Sequence, residues 1–274
     1  MRPSSPATST MPVLFIPHGA GPCFFMDWNP PGTWDTMADF LKGIAATLPA
    51  KPKAIVMVSG HWLTREGFRV TSGAQPPLIY DYYGFPQHTY ELQYSAPGEP
   101  ALAERVSGLL SQAGLSSDLD GERGFDHGMF IPLKLMFPEA DIPVIQLSLR
   151  RDLDAQTHLA VGQALAPLRG EGILIVGSGM SFHNMRGFGD PRFTAPSEDF
   201  DAWLTQAVEA DTQQRHEALS HWAHGPHAYQ CHPAGHEEHL IPLMVAAGAA
   251  GEDAGKKIFS GKALETQISA FRFG

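Results

Sequence analysis

Lys53-Ala54-Ile55-Val56-Met57-Val58-Ser59-Gly60-His61-Trp62 is the stretch on which the fold turns. Its apolar run, Ala54 to Val58, shows no polar alternation. That is the pattern of a strand covered on both faces, as in a parallel sheet flanked by helices. The run leaves through Ser59 and Gly60 and ends on His61. In open α/β sheets ligands sit outside the carboxyl ends of the strands, so a histidine there faces the expected site. The same order occurs twice more. Val13-Leu14-Phe15-Ile16 passes through Pro17 to His18, and Ile173-Leu174-Ile175-Val176 passes through Gly177-Ser178-Gly179 to His183 and Asn184.

Outward from these strands, helical and extended stretches alternate. Thr33 is placed to cap a helix over Trp34 to Leu48, with Met37, Phe40, Leu41, Ile44 and Leu48 on one face. A strand near Phe68 to Thr71 leads into a long loop through Asp81-Tyr82-Tyr83-Gly84-Phe85-Pro86, and loops of that length are usually lids or binding walls. Further helices are expected over Pro100 to Ala113, Ile131 to Met136 and Asp154 to Ala166, and from Pro196 onward. Asp118-Leu119-Asp120-Gly121 reads as a turn and Ile142 to Leu149 as a buried strand. A buried helix follows His239, with Pro242 in its first turn. Gln267 to Phe273 alternates and reads as a closing edge strand. The expectation is one α/β domain over residues 11–274, with a mostly parallel or mixed central sheet covered by helices on both faces.

Composition narrows the function. A chain of 274 residues that is 43% hydrophobic can bury a sizeable core. With 19 Lys+Arg against 29 Asp+Glu, its charge of −10 argues against a nucleic-acid surface or a polybasic membrane patch. No apolar run is long enough to span a bilayer. Residues 1–10, MRPSSPATST, read as a disordered polar tail without a secretory core, and Met11 as an alternative start. Cys23 and Cys231 cannot build a disulfide framework, so a reducing compartment, the cytoplasm, is expected. The unusual component is 13 histidines.

The familiar catalytic signatures fail. His236-Glu237-Glu238-His239 has its histidines three apart where the zinc helix needs four, and no GxSxG elbow or Walker loop is present. A single histidine at a strand end is ordinarily a hydrogen-bonded structural residue. Three of them, His18, His61 and His183, on strands sharing one sheet edge suit a metal site better. His239 precedes a buried helix, and His127 sits in the Gly-flanked Gly124-Phe125-Asp126-His127-Gly128. His216, His221, His224, His227, His232 and His236 read as solvated, His88 and His158 lack an evident partner, and both cysteines read as inert.

Taken in order, Pro17-His18-Gly19, Ser59-Gly60-His61-Trp62, Gly124 to Gly128, Gly177-Ser178-Gly179 with His183-Asn184, and Glu238-His239-Leu240-Ile241-Pro242-Leu243 form a set. With Tyr94 to Gly98 and Asp141 to Ser148, the set resembles the DODA branch of the class III extradiol ring-cleavage dioxygenases, the LigB-like enzymes. The resemblance runs from about Met11 to Phe273. It implies a non-haem metal site in which His18, His61 and His239 are ligands. His183 would be either a further ligand or an acid/base beside the metal, and His127 a substrate-facing histidine. His239 stands where related enzymes place a carboxylate, with Glu237 or Glu238 the alternative in a shifted register. The loop Gly19-Ala20-Gly21-Pro22 departs from the Gly-Ser-Pro expected after His18, which touches the local substrate contacts and not the ligand.

The implied chemistry is the opening of a catechol ring by O₂ at Fe(II), giving a muconic semialdehyde, with Zn(II) as a possible occupant of purified protein. Small-molecule catechol and O₂ are the implied partners, without nucleic acid or membrane. His183 and His127 would be the catalytic residues, and Tyr82, Tyr83 or Phe85 would help to position the substrate. Two other readings compete: a Memo-like binding protein without turnover, and a zinc-dependent hydrolase. Redox separates them, because Zn²⁺ cannot pass electrons to O₂.

Overall fold

The computed structural model describes residues 10–274; apart from Thr10, the tail expected to be disordered lies outside them. Eight strands form one sheet: β1 (Val13–Pro17), β2 (Ala54–Thr64), β3 (Phe68–Thr71), β4 (Ser117–Asp120), β5 (Val144–Arg150), β6 (Ile173–Gly179), β7 (Gly255–Ala263) and β8 (Thr266–Phe273). Their order is β4-β3-β5-β2-β6-β1-β8-β7. The central four, β5, β2, β6 and β1, are parallel, and β3, β8 and β7 are joined antiparallel to their inner neighbours. The apolar runs of β1, β2, β5 and β6 are buried throughout, because helices cover both faces.

The helices are α1 (Asp35–Gly43), α2 (Pro100–Gln112), α3 (His127–Met136), α4 (Ala155–Leu165), α5 (Pro167–Gly170), α6 (Thr194–Glu209), α7 (Thr212–Ser220), α8 (Ala228–Cys231) and α9 (Ile241–Ala249). Strand alternation shows which lie opposite each other. Ser178 Oγ donates to Gly128 O in α3 at 2.5 Å. A Cβ on its neighbours Gly177 and Gly179 would instead stand 2.4 Å from Pro242 O and 1.9 Å from His239 O. Successive residues of a strand face opposite sides, so α3 and the His239–α9 segment clasp β6 from its two faces. The glycines of Gly177-Ser178-Gly179 exist for this close approach: no side chain fits between β6 and the backbone that carries His239.

Several elements differ from their sequence reading. Thr33 does not cap α1; its hydroxyl donates to Pro30 O, Trp34 is the N-cap, and the helix relaxes into a 3₁₀ turn at Ile44–Thr47. Residues read as a turn at Asp118-Leu119-Asp120 form the edge strand β4. The strand over Gln267 to Phe273 is internal, because β7, unmarked by any apolar run, pairs along its outer side. Helix α3 starts at His127, ahead of the Ile131 expected. No helix among the described residues is long and apolar enough to cross a membrane.

Candidate metal centre

Strand β2 does not stop at His61 but bulges there. Val58 is opposite Leu147 of β5 while Leu63 is opposite Leu149, so the residues between them loop out of register. Ser59 Oγ holds the bulge by accepting from His61 N at 3.1 Å and donating to Asp126 Oδ1 at 2.8 Å. Asp126 is itself fully buried and receives Gln146 Nε2 at 2.7 Å and Arg123 at 3.2 Å. A charge buried this way needs such partners, and the network fixes the start of α3 against β2 and β5.

Across this bulge His61 Nε2 lies 3.1 Å from His18 Nε2 and 3.2 Å from His239 Nε2. A neutral imidazole has one N–H and can serve only one such contact. The far nitrogens decide where the protons are. His18 Nδ1 is 3.0 Å from Ser178 Oγ, whose own hydrogen goes to Gly128 O. Ser178 can therefore only accept, so the His18 proton sits on Nδ1 and Nε2 presents a lone pair. His239 Nδ1 faces Glu238 Oε1 at 3.2 Å, and His61 Nδ1 faces Asp81 Oδ2 at 3.8 Å.

Three Nε2 atoms thus face one place, and one N–H on His61 could satisfy only one of its two neighbours, an arrangement that a cation would relieve. Two nitrogens each about 2.0–2.1 Å from a common ion stand roughly 3 Å apart when the angle between them is roughly 90–100°. The observed separations match, so the residues present fit a metal ion. Burial, then the neighbouring histidines, hold His18 and His239 well below the ordinary 6.5, which keeps both neutral and able to bind metal.

His127 and His183 flank this group without joining it. The His127 ring centroid is 3.9 Å from that of His61. Asp81 Oδ1 accepts from both His127 Nδ1 at 2.8 Å and His127 N at 2.9 Å. Burial alone would raise the Asp81 carboxyl, but the hydrogen bond and charge of His127, with that of His61, hold it below its usual range. His183 stacks on His239, ring centroids 3.4 Å apart and planes 15° apart, and burial followed by His61 pushes it down to about 3. Glu238 is behind His239 and 4.0 Å from His183 Nδ1; with these two histidines it makes a second set of possible ligand atoms, outside the convergence of His18, His61 and His239. Glu237 stays out of it as well.

The sequence reading passed over Asp81 as one more loop residue. Its signal was available only as a carboxylate in a long aromatic loop with a histidine unaccounted for. Of the histidines read as solvated, His232 is fully buried, its Nε2 on Ser181 O at 2.9 Å; His158, read as lacking an evident partner, is buried between Arg150 N and Asp154 O. Both cysteines are buried, and burial raises both thiols, in keeping with an inert role.

The histidines form the floor of a cavity of about 450 Å³, a size suited to a small aromatic molecule. Tyr82, Tyr83 and Phe85 of the long loop stand on one side of it, and Met185, Phe188 and Leu264 also line it. The Tyr82 hydroxyl donates to Thr89 O at 2.6 Å and so fixes its own loop. A neutral histidine cluster at the carboxyl edge of an α/β sheet, opening into such a cavity, defines a metal-dependent enzyme acting on a small organic substrate.

Comparison with known proteins gives the family. The model for the catalytic LigB subunit of aromatic ring-opening dioxygenase matches residues 12–271, so the chain belongs to this family of class III extradiol ring-cleaving dioxygenases. It is 43% identical over 251 residues to 4,5-DOPA dioxygenase extradiol of Beta vulgaris, covering 88% of this chain and 87% of that protein. It is 36% identical over 282 residues to Dioxygenase tasH of Hapsidospora irregularis, covering 96% and 85%. The crystal structure of uncharacterized protein JW3007 from Escherichia coli K12 superposes with a TM-score of 0.73 at 33% identity, covering 96% of this chain and all of that one. Members act on a small aromatic molecule with O₂ and depend on a metal.

Proposed function

We propose that this chain opens a catechol ring beside its diol, using O₂ and an Fe(II) ion held by His18, His61 and His239. The observation that carries the reading is the convergence of the three Nε2 atoms, with an oxygen facing each Nδ1. A histidine set with further positions left open suits Fe(II), which would supply the one-electron steps that O₂ needs and lower the pKa of the phenols it touches.

The rest is done by the chain. Asp81 holds the Nδ1 proton of His127, which leaves His127 Nε2 free to accept a phenolic proton and lets the carboxylate stabilise the imidazolium that forms. His183, neutral because it is buried, serves as the acid/base on the other flank, though its atoms and those of His239 and Glu238 also stand close enough together to share an ion. The reaction breaks one ring C–C bond. Both atoms of O₂ enter the product, one in the new carboxylate and one in the aldehyde of a muconic semialdehyde, so no outside reductant is consumed. The apolar walls exclude water from the ring while this happens.

The test is oxygen uptake after anaerobic loading with Fe(II), with a panel of catechols and a Zn²⁺-loaded control. Iron-dependent uptake with a yellow product is expected. Absence of uptake with every catechol, at confirmed iron occupancy, would overturn the proposal. His61→Ala should lose the metal, whereas His183→Ala should keep it and lose turnover.

A further inference from the structure

The ring of His183 is held unlike the others of the site. His18, His127 and His239 each have an oxygen facing Nδ1, at 3.0, 2.8 and 3.2 Å, and His61 is set by the contacts of its Nε2. Among the described residues the His183 ring makes no hydrogen bond, and its Nδ1 is 4.0 Å from Glu238 Oε1. Stacking on His239 sets its tilt, yet a ring can slide or turn within a stack. Its placement is inherited from its backbone.

That backbone belongs to no helix or strand. After β6 the chain runs irregularly from Met180 to Asn184, so its buried polar groups must find partners in another element. One short segment, α8 and the residue after it, supplies three. Cys231 O accepts from His183 N at 3.0 Å, Gln230 O accepts from Asn184 Nδ2 at 2.7 Å, and His232 Nε2 donates to Ser181 O at 2.9 Å. The direction of each side-chain bond is fixed. Ser181 O can only accept, so the His232 proton is on Nε2. Asn184 Oδ1 accepts from Arg186 N at 3.0 Å, so an amide turned end for end would lose both of its bonds. Both side chains are buried, and the His232 ring packs against Phe200 and Trp222, centroids 5.6 and 6.1 Å away. The segment then runs on to His239 itself. One piece of chain thus carries a histidine of the convergence and grips the loop whose histidine stacks upon it.

We propose that Asn184 and His232 are positioning residues for ring opening. They act through His183, fixing the loop that sets its ring over His239 and within reach of the bound substrate. This rests on the reading of His183 as the acid/base. A displacement of about 1 Å in such a group costs on the order of 10²-fold in rate.

The test compares His232→Ala, His232→Gln, Asn184→Asp and His183→Ala on iron-loaded protein, with L-DOPA as the probe, or caffeate where it is cleaved faster. Turnover is expressed per bound iron, and catechol affinity is read anaerobically. His232→Ala should lower kcat roughly 10–100-fold while catechol affinity changes by less than about threefold. His232→Gln, whose amide can still donate to Ser181 O, should recover most of that loss. Asn184→Asp is the same size but sets an oxygen against Gln230 O. It should lower kcat in the same way, and it carries the test if His232→Ala does not fold. In a His183→Ala background neither change should lower the residual turnover by more than about twofold, because the residue they act through is gone; general damage to the fold would still show there. Full turnover per iron in His232→Ala and Asn184→Asp overturns the proposal. So does a loss that His232→Gln fails to restore, or one that persists in the His183→Ala background. If the wild type cleaves neither catechol, or His183→Ala turns over normally, the underlying reading fails. If His183→Ala is crippled and the other variants are not, the acid/base stands and only the positioning falls.

Discussion

Ser178 Oγ accepts a hydrogen bond from His18 Nδ1 and donates one to Gly128 O, so a residue of the sheet fixes which nitrogen of His18 faces the centre. Outer partners of this kind are typically worth about 10–100-fold in metal affinity. Ser178→Ala should weaken Fe(II) or Zn²⁺ binding by that factor in a chelator competition. An unchanged affinity would mean that the ring is oriented by packing alone.

Asp81 stands in the same relation to His127. Asp81→Asn should lower kcat on the order of 10²-fold and shift the acid limb of the kcat/KM profile at metal saturation. The double variant with His127→Ala should cost little more than His127→Ala alone, because the two act as one unit. Full additivity in that cycle would separate them.

Gly179→Ala pushes a methyl group to within 1.9 Å of His239 O. The backbone carrying His239 must then lift from β6. Stability should fall by about 1–3 kcal/mol, the usual range for overpacking, and metal binding should fall with it. Thermal unfolding and metal titration on one sample test both. Wild-type affinity in a destabilised variant would show that His239 can move without loss to the site.

Acid should unfold the protein through its buried histidines. Burial lowers His158, and it pushes His232 down to about 3, the backbone bond to Ser181 only partly opposing it. Below about pH 6.5 the unfolded chain therefore takes up protons that the native state refuses. The stabilisation is complete above that pH and is lost as pH falls toward the folded values, at roughly 1.4 kcal/mol per pH unit for each such group. His232→Gln can keep the donor to Ser181 O without titrating, so urea unfolding of this variant should show a shallower slope between about pH 6.5 and 4. An unaltered slope would assign the acid sensitivity elsewhere.

What the sequence revealed follows from which forces leave a pattern in it. The central strands announced themselves because burial on both faces demands continuous apolar residues, as in Ile55 to Val58. Strand β7 did not, since Lys256 and Lys262 along it are exposed, Lys257 turns to Asp201, and only pairing with β8 makes it a strand. Histidines after apolar runs were visible as a set. The tautomer-fixing oxygens of Ser178, Asp81 and Glu238 were not, because each acts through tertiary contact and none repeats with a period. His232 was misjudged for the same reason: a histidine-rich polar stretch looks solvated until the chain folds back over it.

His61 and His239, whose nitrogens nearly touch, are 178 positions apart in the chain. On the proposed ligand set, a growing polypeptide could not capture the ion until nearly all of it had left the ribosome. Fragments carrying His18 and His61 alone offer only a loose pair of imidazoles, so premature loading with a wrong metal is disfavoured by the connectivity itself. On the proposed ligand set, an ion would tie the end of β1 to the segment that enters α9, and any agent that stripped it would loosen the two together.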